Sequence, residues 1–352
     1  MIEGRTRKVD SLRLRAGELV EVRSRDEILR TLDRNGCLDG LPFMPEMLRY
    51  CGTRFRVRSV AHKTCDTINS GGGRRMSNCV HLEDLRCDGA DHGGCQAGCL
   101  IFWNVAWLKR PRSATASTPT LSEAGCTAAD LQRATKAGPV DTADPAYRCQ
   151  ATDLLNATEP LPWWDVRQYV ADVTSGNRTI RHMVRILALG VFRALAETGH
   201  GYRLLVGAYN RVQKWHGGHP YPDIPDRILK GERTPTENLN LQPGELVQVK
   251  SHEEIRATTT RGGFNRGMRF DVEMVKYCGQ VYRVQARVNQ IINEKTGRMV
   301  QMQYPCILLE DVFCRAECTP MRLGCPRAVN TYWREIWLRR VGSPGAQTTR
   351  EL

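Results

Sequence analysis

The chain has 352 residues, 41% of them hydrophobic and 25% charged, with a formal net charge of +13. That is enough for two or three domains with cores of their own, and it excludes a disordered chain as the default. The strongest apolar run, residues 186–195, is interrupted by Arg193 and falls short of the ~20 residues a membrane span needs, so no transmembrane helix is expected.

The N-terminal MIEGRTRKVDSLRLR carries positive charge with no apolar stretch after it, so no secretory signal is expected and a cytoplasmic location is. In such a reducing compartment the 14 cysteines are thiols rather than a disulfide framework. Metal binding, catalysis or burial must then account for them. The positive charge suits an anionic small molecule or nucleic acid as partner. Arg and Lys are spread along the chain, however, and form no basic tail.

Residues 16–57, AGELVEVRSRDEILRTLDRNGCLDGLPFMPEMLRYCGTRFRV, return without a gap as residues 243–284, PGELVQVKSHEEIRATTTRGGFNRGMRFDVEMVKYCGQVYRV. CVHLEDLRC (79–87) matches CILLEDVFC (306–314) at the same offset. After a three-residue insertion, WNVAWLKR (103–110) matches WREIWLRR (333–340). A repeated domain therefore occupies residues 13–110 and 240–341.

In chain order, each copy opens on a period-two strand, GELVEV or GELVQV. Ser24 with Glu27, and Ser251 with Glu254, have capping-box spacing and predict a short helix next. Turn signals follow at Gly40 and Gly267. YCGTRFRVRSV, NCVHLED and AWLKR, with their counterparts YCGQVYRVQAR, PCILLED and IWLRR, read as strands. The expected fold is mainly β with a helical insert: two tandem SH3-like small barrels flanking a helical middle segment.

Between the copies, residues 111–160 read as a linker, flexible over PRSATASTPT (111–120), with a helix possible at 122–136. Residues 161–239 read as mainly helical. PWWDVRQYVADV and the stripe Ile180, Met183, Val184, Leu187, Val191, Ala194 and Leu195 have helical spacing. Trp163 and Trp164 are expected to anchor that segment, and Gly217 to Pro225 to end it. The paired tryptophans Trp103/Trp107 and Trp333/Trp337 read first as core, with an aromatic binding groove as the minority reading.

The stretches GLPFMPEMLRYCG, KTCDT, LRCDG, HGGCQAGC and AWLKR, with PLPWWDVRQYV and YWREIWLRR, resemble a family of uncharacterised bacterial cysteine-rich proteins that carry two copies of a small β-rich domain. The resemblance runs over nearly the whole chain. It implies a setting near glycan or secondary-metabolite biosynthesis genes, and no particular reaction.

Superposing the copies pairs Cys51 with Cys278, Cys79 with Cys306, Cys87 with Cys314 and Cys95 with Cys325. Four matched thiols suffice for a tetrahedral zinc or an iron–sulfur cluster, although the spacings are not those of a zinc ribbon, and Cys51 and Cys278 also read as small buried hydrophobes. The first copy adds Cys65 and Cys99, which Ile292 and Val329 replace in the second. Cys65, Cys87, Cys95 and Cys99 are thus the first expected ligand set, with His92 or Cys79 as substitutes, on a glycine-rich loop able to fold back on one ion. The second copy keeps Cys278, Cys306, Cys314 and Cys325 and gains Cys318.

Glu46 and Glu273, and the Glu83-Asp84 and Glu310-Asp311 pairs, also recur. They read mainly as solvated or arginine-paired carboxylates, and otherwise as an acid–base pair. His216 and His219 read as a polar turn or a weak metal site. Common nucleotide, hydrolase and zincin motifs are missing. The leading expectation is a metal-stapled tandem-barrel binding or scaffold protein with a protein or anionic partner in a biosynthetic assembly. The alternatives are a metalloenzyme or iron–sulfur redox protein with its site in the first copy, and a nucleic-acid-binding protein.

Overall fold

The computed structural model describes residues 12–69, 72–111, 125–137, 145–197, 202–215, 232–260 and 262–342. Most of the expected flexible stretch 111–120 lies outside them, as do His216 and His219. The protein is mixed α and β, with mostly small antiparallel sheets. No helix among the described residues is long and apolar enough to cross a membrane.

The chain divides into two compact units. The first takes the described residues up to Val191, together with Gln290–Val300 and Arg315–Val329. The second takes Phe192–Asn289, Gln301–Cys314 and the described residues from Asn330 onward.

In the first unit the strand Leu19–Val22 alternates as its sequence requires. Val20 and Val22 are fully buried while Leu19 and Glu21 face outward. It lies next to the edge of an open antiparallel sheet, a half-barrel, in the order Trp103–Asn104, Cys79–Leu82, Arg54–Val60, Leu19–Val22, Leu108–Lys109. Val20 pairs with Phe55, Val22 with Leu108 and Val80 with Trp103, and a bulge falls between Val57 and Ser59.

The capping box forms at the next step. Ser24 Oγ accepts the Glu27 N–H at 3.3 Å, Glu27 Oε2 accepts the Ser24 N–H at 2.9 Å, and the helix Arg25–Leu29 starts there. A second sheet, ordered Thr158–Leu161, Gly73–Met76, Lys63–Cys65, draws in a strand from beyond the first copy. Leu154, which is fully buried, and Cys149 and Ala151 join the same core, so residues 145–161 pack as part of this unit.

The second unit repeats the plan. Leu246–Val249 leads to a capped helix, His252–Arg256, and a 3-10 turn, Val272–Tyr277, in step with the first unit's Pro45–Tyr50. Its sheet runs Met299–Leu309, Val281–Ile292, Leu246–Val249, Leu338–Arg340.

The tryptophans are core in both units. Phe43 meets Trp107 edge to face at 5.0 Å, and Phe270 meets Trp337 at 5.4 Å. Even the indole partner is repeated. Trp107 Nε1 donates to Thr31 Oγ1 at 3.1 Å, and Trp337 Nε1 to Thr258 Oγ1 at 3.0 Å.

The middle segment is helical at Ala128–Ala134, Arg167–Thr174, Ile180–Glu197 and Tyr202–Trp215. Met183 and Ile186 are buried, while Ile180, Val184, Val191 and Leu195 of the expected stripe stand exposed. Trp163 and Trp164 do not anchor it. They are 48% and 67% exposed and pack edge to face on each other.

Trp107→Ala and Trp337→Ala each remove a fully buried indole and the N–H that a threonine hydroxyl accepts, while Thr31 and Thr258 keep their own bonds to Ile28 O and Ile255 O. Each should cost about 3–5 kcal/mol, and urea unfolding followed by circular dichroism will read it. A loss below about 1 kcal/mol in either would show that the repeated aromatic centre is not what holds that unit together.

Candidate metal centre

Three side chains of the first unit converge on one point. Cys87 Sγ lies 3.6 Å from Glu46 Oε1 and 3.5 Å from His92 Nε2, and His92 Nδ1 lies 3.8 Å from Glu46 Oε1. One donor atom from each falls within 4.8 Å of the others. Neighbouring ligands of a tetrahedral zinc stand about 3.4 Å apart, and His92 would offer only one of its two ring nitrogens, so the three side chains would have to draw closer to bind one ion.

The local sequence explains the convergence. Pro45 starts the 3-10 turn that carries Glu46. Cys87 follows the Cys79–Leu82 strand, and its N–H bonds to Cys99 O at 2.8 Å while the Ile101 N–H bonds to Leu85 O at 3.2 Å. Those two bonds close the base of the 87–99 loop.

Within the loop, Gly89 O accepts from the His92 N–H at 3.1 Å and the Gly94 N–H at 2.9 Å, a turn that brings His92 back over Cys87. Gly89 has φ +72°, and a Cβ there would stand 2.0 Å from Cys95 O. No other residue fits. Arg49, on the same turn as Glu46, pairs with Asp88 at 2.7 Å and pins the loop from outside.

The side chains of Glu46 and His92 are each about 2% exposed. Burial, with Asp91 nearby, pushes the Glu46 carboxyl up to about 7. Burial holds His92 below its ordinary value and drives the Cys87 thiol far up, helped by Glu46, Cys99 and Cys149. Glu46 Oε2 and His92 Nδ1 are buried with no hydrogen-bond partner. An ion would engage such donors and would displace protons from Cys87 and Glu46 as it bound.

The other expected ligands are placed differently. Cys95 Sγ accepts the Ile292 N–H at 3.3 Å. Cys99 lies beside Arg327 and Glu294, its thiol pushed up to about 11 by burial. Cys79 is a buried core residue, and Cys51 packs half-buried on the same core. Cys65 sits against Cys325 rather than in the triad.

In the second unit Cys278 packs half-buried on the core. Cys306 Sγ lies 3.4 Å from Arg334 Nη1, and Cys314 is half-buried at that unit's edge. Cys325 belongs to the first unit, and among the described residues the group that could hold an ion is Glu46, Cys87 and His92, with none of the second copy's four matched thiols in it. Of the expected set, Cys87 and His92 do meet. The third member, Glu46, was read as a solvated or arginine-paired carboxylate. Its recurrence in PEM and VEM, between apolar neighbours, was the signal of burial that the sequence held.

No family model, curated protein or solved structure matches this chain. The chain is a mixed α and β protein with an internally repeated plan and a Glu–Cys–His group that could hold a metal.

His81, in the Cys79–Leu82 strand of the same unit, gives a pH prediction. Its Nδ1–H donates to Ile101 O at 2.9 Å, which fixes the neutral tautomer and leaves Nε2 buried without a partner. Burial, with Arg327, Arg58 and Arg86 nearby, brings it down to about 4. The unfolded chain takes up this proton near pH 6.5 and the folded one does not until about 4. Stability is therefore intact above about pH 6.5 and falls by up to ~3 kcal/mol as pH drops to about 4. His81→Gln, which can still donate to Ile101 O, should flatten that fall in urea midpoints measured from pH 7 to 4. Parallel curves for the two proteins would refute it.

Proposed function

We propose that this protein is a metal-stapled binding or scaffold module. A divalent ion, zinc by the donor set, is held by Glu46, Cys87 and His92 and fastens the glycine-rich loop to the 3-10 turn of the first repeat. The observation that carries this reading is the buried triad, in which Glu46 and His92 each keep an unpartnered donor atom. Enclosure at about 2% exposure favours an ion that holds structure over one that meets a substrate.

In this reading each copy is a small SH3-like barrel, and the charge of +13 recruits a protein or anionic partner in a bacterial biosynthetic assembly. A metalloenzyme is the second reading. Three protein donors, rather than four, is the number that catalytic zinc sites use.

Elemental analysis of the full-length protein, purified without chelator, should find one ion per chain. Cobalt substitution should give the visible absorption of thiolate coordination, lost in Cys87→Ser and in His92→Ala. Chelation should lower the urea midpoint of the wild type and leave Cys87→Ser unmoved. A metal-free chain of unchanged stability would overturn the proposal, and an ion that exchanges inhibitors or substrates while stability stays fixed would favour the enzyme.

A further inference from the structure

All fourteen cysteines are thiols, and one pair stands apart from the metal triad and from the core thiols. Cys65 ends the strand Lys63–Cys65, and Cys325 lies in the segment Arg315–Val329 of the same unit. Two side chains stitch these stretches together on either side of Cys325. Lys63 Nζ donates to Leu323 O at 2.7 Å, and Arg327 Nη1 donates to Cys65 O at 3.3 Å.

Gly324 allows the close approach. Its φ is +73°, and a Cβ there would stand 2.8 Å from Asp172 Oδ2 and 3.1 Å from Lys63 Nζ. Between the two stitches the Cys325 thiol donates to the Cys65 sulfur. Both residues are enclosed, at 5% and 6% exposure.

We propose that Cys65 and Cys325 form a peroxide-responsive dithiol that closes to a disulfide inside the first unit. The pairing of two sulfurs by a bonded backbone frame carries the inference, and the electrostatics agree with it. The hydrogen bond from Cys325, with the Arg327 and Arg322 guanidinium groups, outweighs burial and brings Cys65 down to about 6. These surroundings favour the thiolate, the nucleophilic form, at Cys65, whereas burial favours the thiol at Cys79, Cys87 and Cys306.

In the first step the Cys65 thiolate attacks one oxygen of hydrogen peroxide. An S–O bond forms, the O–O bond breaks, and the departing hydroxide takes a solvent proton and leaves as water. Cys325 then attacks the sulfenic sulfur. The S–S bond forms, the S–O bond breaks, and the Cys325 proton leaves with the hydroxide as a second water. The two sulfurs lose two electrons, and one peroxide is reduced to two waters.

The test does not depend on the metal reading and is run on the full chain with and without added zinc. The protein is treated with equimolar hydrogen peroxide, quenched with an alkylating agent and mapped without reduction. The expected result is a Cys65–Cys325 cross-linked peptide, formed on the order of tenfold faster than oxidation at Cys79 or Cys306. In Cys325→Ser, with the fold checked by tryptophan fluorescence, a sulfenic-acid trap should label Cys65. In Cys65→Ser, Cys325 should stay reduced. Cys65 and Cys325 both alkylated in the wild type while other thiols oxidise would overturn the proposal. So would a Cys65 that passes to the sulfinic acid without ever bonding to Cys325.

Discussion

A buried guanidinium organises the first unit. Arg327 is 2% exposed, and a charge so enclosed is tolerated only when its donors are taken up and an opposite charge is close. It donates to Cys65 O and to Thr67 Oγ1 at 2.7 Å and pairs with Glu294, which Thr67 also contacts. Those partners come from three stretches far apart in sequence: the Lys63–Cys65 strand and the turn after it, Gln290–Val300, and Arg327's own segment. Satisfying one cation thus fixes where all three meet. The same charge helps hold Cys65 down and adds to the resistance of His81 to protonation.

Common descent and local chemistry separate cleanly when the two copies are compared. What repeats is scaffolding: the capping boxes at Ser24 and Ser251, the edge-to-face Phe43–Trp107 and Phe270–Trp337 pairs, and the threonine under each indole. What differs is the stretch after the strand that ends at Leu82 or Leu309. In the first copy it becomes a glycine-rich loop that returns His92 to Cys87. In the second it becomes the segment that carries Cys325 and Arg327 into the first unit. Equivalent sequence positions therefore do different work, and matched cysteines need not be matched in role.

This also explains what could be read from the sequence. Strand alternation around Val20 and Val247, the helix starts and the buried tryptophans all follow from contacts within a few residues or from the repeat itself, and all three were legible. The site was legible in part. Cys87 and His92 lie on one loop, so glycine content and spacing pointed to them. Glu46 comes from a separate turn, and a carboxylate's burial is decided by tertiary packing that no short motif encodes. The partner of Cys65 was hidden more deeply, because alignment of the copies pairs Cys325 with Cys95 and so directs attention to a symmetric quartet. The exposed Trp163 and Trp164 failed in the opposite sense: their hydrophobicity predicted burial, and the Arg167–Thr174 helix instead buries polar Gln168 and Asp172, which receive His62 and Lys63.

Two thiols in one unit are thereby set to opposite chemistry by their surroundings alone. Cys87 faces the Glu46 carboxyl and the His92 imidazole, and burial with Glu46, Cys99 and Cys149 nearby holds it as a thiol, so an ion binding there would displace its proton. Cys65 is buried too, yet a thiol donor and two guanidinium groups about it hold it below the ordinary thiol value. An ion entering the unit would meet Glu46 Oε2 and His92 Nδ1 without hydrogen-bond partners, whereas at Cys65 it would have to displace Cys325's hydrogen bond and sit beside Arg327. If both proposals hold, cation repulsion would direct metal to the first thiol and leave the second for oxidants, so that both chemistries could share one small core.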